Sequence, residues 1–192
     1  MTQGLLLIIS GPSGVGKDTV FKELRKRLPD LRKTVSVTTR PIRAGEIDGR
    51  DYIFVGQERF ELMIAENRFL EWACVHGNYY GTPADEVTRL RAEGCDVVMV
   101  IDVQGAEKVV NRICDALTVF LVPPSHAELA RRLAGRGTED GQAMARRLEE
   151  ADREIQVSSA YDYVIVNDVV DRAVDELTEI VQKERQRRGD DD

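Results

Sequence analysis

Two histidines, six lysines and three cysteines are all that this 192-residue chain holds of those types; aromatic residues make up 6%, and no uninterrupted apolar run exceeds five residues. Each scarcity excludes something. A membrane-crossing helix needs about 20 apolar residues, and the longest runs here are Leu5–Ile9 and Val97–Ile101, so no span and no membrane partner is expected. His76 and His126 stand far apart in sequence, which argues against a histidine metal cluster or a Ser-His-Asp triad. Cys74, Cys95 and Cys114 are odd in number, widely spaced and set in apolar-rich stretches. They read as buried free thiols in a reducing compartment, not as a disulfide framework or a metal site. The opening Met-Thr-Gln-Gly has no basic segment, and the apolar stretch after it is too short for a secretory signal, so the expected location is the cytoplasm. The formal charge of −7, from 27 basic and 34 acidic side chains, argues against a dedicated nucleic-acid binder, which should present a basic face. Of the 27 basic residues, 21 are arginine.

What is present is an ordinary globular composition, 42% hydrophobic and 32% charged, of a length that suits one domain with room for an insertion. Gly4–Ser10 is a short continuous apolar run of the kind buried on both faces of a sheet. A Gly-rich turn and a helical pattern over Lys17–Leu28 follow it, closed by Pro29. Further strand runs lie at Asp96–Asp102, Leu117–Val122 and Tyr163–Val166, each followed by a helical pattern: Gln104–Asn111, Ser125–Leu133 and Asp171–Arg187. This alternation predicts an α/β fold with a doubly wound parallel sheet. Residues 34–84 break the pattern with β-like pieces at Thr34–Thr39, Tyr52–Val55 and Phe69–Val75 and a helical piece around Glu58–Glu66, as a small inserted α+β subdomain would. Residues 135–147 are Gly-rich and charged between two helices, which suits a helical lid; residues 188–192 form a polar tail. The core is then expected over 4–33, 85–134 and 148–187.

Gly11-Pro12-Ser13-Gly14-Val15-Gly16-Lys17 fits G-x-x-x-x-G-K, a loop that cradles phosphate. Glycines let backbone N–H groups converge on phosphate oxygens, the following helix N-terminus adds its positive dipole, and the lysine adds a point charge. Such a loop predicts binding of a nucleotide triphosphate with Mg²⁺. The pattern then calls for Ser or Thr as a metal ligand, but Asp18 stands there, and Thr19 is rotated about 100° away on a helix. Asp18 either ligates Mg²⁺, directly or through water, or serves as a favourable charge on the first helical turn. Val97–Asp102 delivers a second carboxylate, Asp102, at the end of an apolar strand, where ligands of open α/β sheets bind; it is also placed to cap the next helix.

Several further motifs follow in order: Ser36-Val-Thr-Thr-Arg40-Pro-Ile-Arg43, Gly45-Glu-Ile-Asp-Gly-Arg-Asp-Tyr52, Phe69-Leu-Glu71-Trp72, Gly77-Asn-Tyr-Tyr80-Gly-Thr82-Pro83, Ile101-Asp102-Val-Gln-Gly105, Arg136-Gly137 and Tyr161-Asp-Tyr-Val-Ile-Val-Asn167-Asp168. Together with the phosphate loop they resemble the guanylate kinase family over about Gly4 to Ile180. The resemblance implies a nucleoside monophosphate kinase that moves the γ-phosphoryl group of ATP to GMP, giving ADP and GDP. It places Arg40, Arg43, Tyr52 and Tyr80 on the GMP phosphate, Ser36, Glu71 and Thr82 on the guanine base, and Asp102 between base and metal. It makes 34–84 the GMP-binding insertion. It sets Arg132, Arg136 and Arg147 over the ATP phosphates and Asn167 near the adenine.

That assignment makes chemical sense. Guanine offers an O6 acceptor beside N1–H and N2–H₂ donors, so hydroxyls of Ser36 or Thr82 suit O6 and the Glu71 carboxylate suits the donor edge. Paired arginines grip a phosphate in a way lysine does not reproduce. The attacking phosphate oxygen is already anionic near neutral pH, so no general base is required, and Lys17, Mg²⁺, Arg40, Arg136 and Arg147 would neutralise the transferred group. Two other readings share the fold: a ribose bisphosphokinase, which can carry Asp after the loop lysine, and an inert phosphopeptide-binding module.

Overall fold

The structure, a computed structural model, describes residues 3–75, 77–134 and 141–190. His76, residues 135–140 with Arg136 among them, and the last two residues lie outside the described residues. In chain order the elements are β1 (Leu6–Ser10), α1 (Lys17–Arg27), β2 (Arg32–Lys33), β3 (Val37–Thr38), β4 (Ile53–Phe54), α2 (Gln57–Ala65), β5 (Phe69–Val75), β6 (Asn78–Pro83), α3 (Ala84–Ala92) and β7 (Val97–Val100). They continue with α4 (Val103–Val110), β8 (Leu117–Val122), α5 (His126–Ala134), α6 (Gly141–Gln156), β9 (Tyr163–Val166) and α7 (Val170–Asp190). The predicted parallel α/β arrangement is present: one sheet runs β2-β7-β1-β8-β9, and the register pairs within it are parallel. A second, mixed sheet runs β4-β3-β6-β5.

Two compact units are distinguished by their internal contacts. The first comprises the segment up to Leu6, Arg32–Met99 and Gln104–Ala116. It holds the β2–β7 pairs, Arg32 with Val97 and Lys33 with Val98, and the whole four-stranded sheet. A core of Val37, Phe60 and Phe69 fills it, with Met63, Ile64, Trp72 and Tyr79 packed around. Phe60 stacks on Phe69 at 4.5 Å and on Tyr79 at 5.3 Å between centroids, and Gly81 lies against both Phe rings because a Cβ there would come within 2.8 Å of Phe69.

The second unit comprises Leu7–Leu31, Val100–Val103 and Leu117–Asp192. Its parallel register runs from Leu7 opposite Leu117 to Ser10 opposite Phe120, and from Val119 opposite Tyr163 to Val122 opposite Val166. Leu6, Leu7, Ile8 and Ile9 have no exposed surface, which is why these four successive positions are apolar instead of alternating; each such side chain contributes roughly 1.5–3 kcal/mol by leaving water. Helix α1 buries Val20, Phe21 and Leu24 on one stripe and packs against α7.

The cysteines correct the expectation of buried thiols. Cys74 and Cys114 are exposed and Cys95 is half-buried. Cys74 lies on β5 between buried Ala73 and half-buried Val75, so strand alternation turns it outward; Cys114 falls in the turn after α4. An apolar neighbourhood in sequence did not translate into an inward-facing position.

Candidate active site

In the second unit, β1 ends at Ser10 and the chain turns through Gly11, Gly14 and Gly16, whose φ angles are 141°, 82° and 100°. Those values lie where side chains are strained. Space gives the same answer: a Cβ on Gly11 would meet the Leu121 carbonyl oxygen at 2.4 Å, and one on Gly16 the Asn167 amide nitrogen at 2.8 Å. Helix α1 opens on Gly16 with no side-chain cap, which leaves its first N–H groups for a ligand. Lys17 Nζ donates to the carbonyls of Gly11 at 2.5 Å and Pro12 at 3.2 Å, so the ammonium is folded across the loop it serves.

Two predicted ATP residues brace this loop. Asn167 is 2% exposed, and its Nδ2 donates to the Val15 carbonyl at 2.7 Å. Arg132 donates from Nη1 to the same carbonyl at 3.1 Å, from Nη2 to the Asn167 carbonyl at 2.9 Å, and from Nε to Glu128 at 2.8 Å. The half-buried Glu128 carboxylate, held by Arg131 first and Arg132 second, has its pKa pulled down to about 2. The buried Oδ1 of Asn167 accepts no hydrogen bond from protein. Arg147 lies on α6 and Arg136 outside the described residues.

Asp18 and Thr19 are exposed on the first turn of α1, and Asp102 is half-buried immediately before α4. Sequence reasoning passed over Glu154 on α6. Burial pushes its carboxyl up, the Lys17 ammonium pulls it down, Asp102 pushes it up, and the Ser13 N–H donates to it. Its carboxylate therefore sits in the electrostatic field of the loop; the sole signal in sequence was an acid on a helix face after the Gly-rich stretch.

In the first unit, β3, β6 and β5 line up the remaining candidates. Glu71 pairs with Thr82 across β5–β6, and Val37 with Gly81 across β3–β6; one step before Val37 is Ser36. Glu71 is 5% exposed and Thr82 fully buried, and Thr82 Oγ1 donates to Glu71 Oε1 at 2.7 Å. A hydroxyl has one proton. In this arrangement the Thr82 proton is directed to the Glu71 carboxylate and not outward as a donor. Half-buried Ser36 retains that possibility.

The same strands place the arginines. Thr38 Oγ1 donates to the Tyr79 carbonyl at 2.9 Å and accepts the Arg40 N–H at 3.1 Å, while Tyr79 N–H donates to Thr39 Oγ1 at 2.9 Å. Arg40 is 7% exposed, with its guanidinium 5.4 Å from the Tyr52 ring centre and Tyr80 hydrogen-bonded to it. Tyr52 and Tyr80 meet edge-on at 6.0 Å. Arg40 Nη2 donates to Glu46 Oε1 at 2.7 Å, and the Arg43 N–H donates to Glu46 Oε2 at 2.8 Å. The Arg40 guanidinium, with the Arg43 N–H, holds the Glu46 carboxyl below its ordinary range. The Arg43 side chain is exposed. Arg40, Tyr52 and Tyr80 thus form one cluster, and Glu46 is its built-in anion, unmarked in sequence because an acid in a charged loop has no distinguishing pattern.

A family model for guanylate kinase matches residues 3–184 of this chain. A guanylate kinase of Symbiobacterium thermophilum is 50% identical over 185 residues, 96% of this chain and 88% of that protein. The chain belongs to the guanylate kinase family. Another relative, a guanylate kinase of Caldanaerobacter subterraneus subsp. tengcongensis, is 46% identical over 95% of this chain and 89% of its own. Among solved structures, the guanylate kinase of Anaplasma phagocytophilum superposes with a TM-score of 0.79 at 35% identity, covering 96% of this chain and 87% of that one. A shikimate kinase from Bacteroides thetaiotaomicron, at 20% identity and a TM-score of 0.50 over 93% and 98%, shares the fold. Guanylate kinase activity, transfer of the terminal phosphoryl group of ATP to GMP, follows from membership at this identity and coverage.

Proposed function

We propose a division of labour in which the phosphate loop holds ATP while the β3–β6–β5 cluster of the other unit holds GMP. The observation that carries it is the Glu71–Thr82 pair: a buried carboxylate fixed by a hydroxyl, in the sheet whose β6 carries Tyr80 and whose β3 and β4 are flanked by Arg40 and Tyr52. Guanine N1–H and N2–H₂ donate to Glu71, Ser36 meets O6, and Arg40, Arg43, Tyr52 and Tyr80 bind the phosphate, which takes over the Arg40 fork now held by Glu46. Adenine has an acceptor at N1 and lacks the 2-amino group, so it offers Glu71 no donor edge and is rejected.

On the ATP side, backbone N–H groups of the loop Gly11–Lys17 and the Lys17 ammonium bind phosphate oxygens, and Arg132 on α5 adds positive charge together with Arg136 and Arg147 of the lid. Lys17 exchanges the carbonyls of Gly11 and Pro12 for phosphate. Among the described residues no group of three or more His, Cys, Asp or Glu side chains is placed to hold a metal ion. The donors present are two carboxylates, Asp18 on the first turn of α1 and Asp102 before α4, and a pair of this kind fits Mg²⁺ arriving on ATP, which keeps several waters and takes one or two carboxylates beside the phosphates. Asp18 and Asp102 would hold it, and when bound it neutralises charge on the transferred phosphoryl group. The GMP oxygen attacks as an anion, Arg40 steadies it, and transfer depends on bringing the two phosphates into line with water excluded, which closure of the GMP-binding insertion 34–84 and the lid 135–147 supplies.

No helix among the described residues is long and apolar enough to cross a membrane. The proposed partners are the two free nucleotides, not a nucleic acid or a bilayer, and the proposed location is the cytoplasm. Asp18 after the loop lysine is the one feature that the ribose bisphosphokinase reading shares, and the family match over residues 3–184 outweighs it; the phosphopeptide reading has no observation in its favour. Steady-state kinetics of two variants test the division. Arg40→Ala should raise KM for GMP and leave KM for ATP within about twofold, while Lys17→Ala should fold normally and lose on the order of 10²-fold or more in kcat. An Arg40→Ala enzyme impaired only toward ATP, or a Lys17→Ala enzyme of normal turnover, would refute it.

A further inference from the structure

Strand β5 is the terminal strand of its sheet, so its outer edge presents backbone groups with no partner strand. Its register also slips: Phe69 pairs with Pro83 and Glu71 with Thr82, with Leu70 extra between them. Such a bulge bends the strand and re-aims the side chains beside it. Here the side chain beside it is Glu71.

The outward carbonyls of this irregular stretch are taken up from one place. Arg112, just after α4, donates from Nη1 to the Phe69 carbonyl at 3.0 Å and to the Leu70 carbonyl at 2.8 Å. Lys108, on α4, donates to the Trp72 carbonyl and lies 4.7 Å from the centre of the Trp72 ring. The three carbonyls flank Glu71 on both sides. Both cations are largely exposed along their length, and a groove of about 410 Å³ between the end of α2, β5 and α4 runs past them. Neither is committed to an acidic partner in these contacts; each spends donors on backbone that any inward-facing strand would have paired.

We infer that Arg112 and Lys108 are positioning residues for guanine specificity: by pinning the bulged edge of β5 they fix where the Glu71 carboxylate points. The inference rests on Glu71 reading the guanine donor edge, as proposed above. Thr82 holds Glu71 by one oxygen from the sheet side, while Arg112 and Lys108 hold the carbonyls of its neighbours Phe69, Leu70 and Trp72 from the open side. Without them the edge carbonyls go to water in the groove and the bulge gains freedom to shift. A displacement near 1 Å at a positioning group costs up to about 10²-fold.

The test compares Lys108→Met, Arg112→Met and the double variant with wild type, together with Glu71→Gln and Arg112→Lys, all as full chains. For each, KM for GMP, KM for ATP, kcat/KM for GMP relative to AMP, and the melting temperature are measured. The double variant should raise KM for GMP roughly tenfold to 10²-fold and lower the GMP-to-AMP ratio, with KM for ATP within about twofold. Arg112→Lys, which keeps a donor for the carbonyls, should recover most of the loss. A lowered melting temperature with equal losses toward GMP and ATP, or an unchanged GMP-to-AMP ratio in folded variants, overturns the inference. Should the double variant fail to fold, the exposed single Lys108→Met decides by the same ratio. An unaltered ratio in Glu71→Gln would instead remove the base-reading role of Glu71 itself. A reduced ratio there, with none in the double variant, sinks only the positioning role.

Discussion

Glu71 shows how much one residue depends on its neighbours. A carboxylate this buried is costly unless its oxygens are engaged, and Thr82 supplies one donor at 2.7 Å. Thr82→Val keeps the shape and removes the donor, so it should cost about 1–3 kcal/mol of stability, raise KM for GMP and leave KM for ATP alone. Thermal melts and two-substrate kinetics check this, and Thr82→Ser should restore both. Sequence marked Glu71 and Thr82 as site residues because their motifs were distinctive. It did not divide their roles, since which hydroxyl spends its proton on the carboxylate depends on a cross-strand pairing eleven residues apart. Arg112, Lys108 and Glu46 were invisible for the same reason: each acts through a backbone or loop contact that leaves no periodic or motif signature.

At the scale of elements, buried strands and the glycine loop were the legible parts. β1 and β8 came through because strands covered on both faces are nearly continuous apolar runs, and the loop because positive φ and close carbonyls favour glycine. Helix α3 was not legible. Its stripe includes Arg91, 3% exposed, whose Nε donates to the Gly4 carbonyl at 2.8 Å and whose Nη2 donates to Asp115 at 2.5 Å, so a cation stands where periodicity looks for an apolar residue. Helix α5 carries a pH signature. Glu128 has its pKa lowered from 4.5 to about 2 by Arg131 and Arg132, and Arg132 in turn braces the Val15 carbonyl. A depressed carboxyl contributes stability above its unfolded pKa and loses it as pH falls through the folded one. The melting-temperature gap between wild type and Glu128→Gln should hold steady above about pH 4.5 and close by about pH 2; the gap should be small, because solvent reaches the pair. A gap that widens on acidification would contradict this.

For the whole molecule, a net charge of −7 coexists with sites built to hold several phosphates. Lys17 is folded onto the Gly11 carbonyl, Arg40 onto Glu46 and Arg132 onto the Val15 carbonyl, which holds each in or near a proposed nucleotide site. Net charge gave no positive reason to expect a polymeric nucleic-acid partner; family membership is what supports ATP and GMP as the substrates. The central claim is that this chain phosphorylates GMP from ATP and reads guanine through a buried carboxylate. The most direct test is ADP release by wild type in the presence of ATP and Mg²⁺ with GMP, dGMP, AMP or ribose bisphosphate as acceptor. Rapid ADP release with GMP, with AMP slower by about 10⁴-fold or more and none with ribose bisphosphate, is the predicted result. Comparable turnover of AMP and GMP, a preference for ribose bisphosphate, or a folded protein with no turnover on any acceptor would contradict the account.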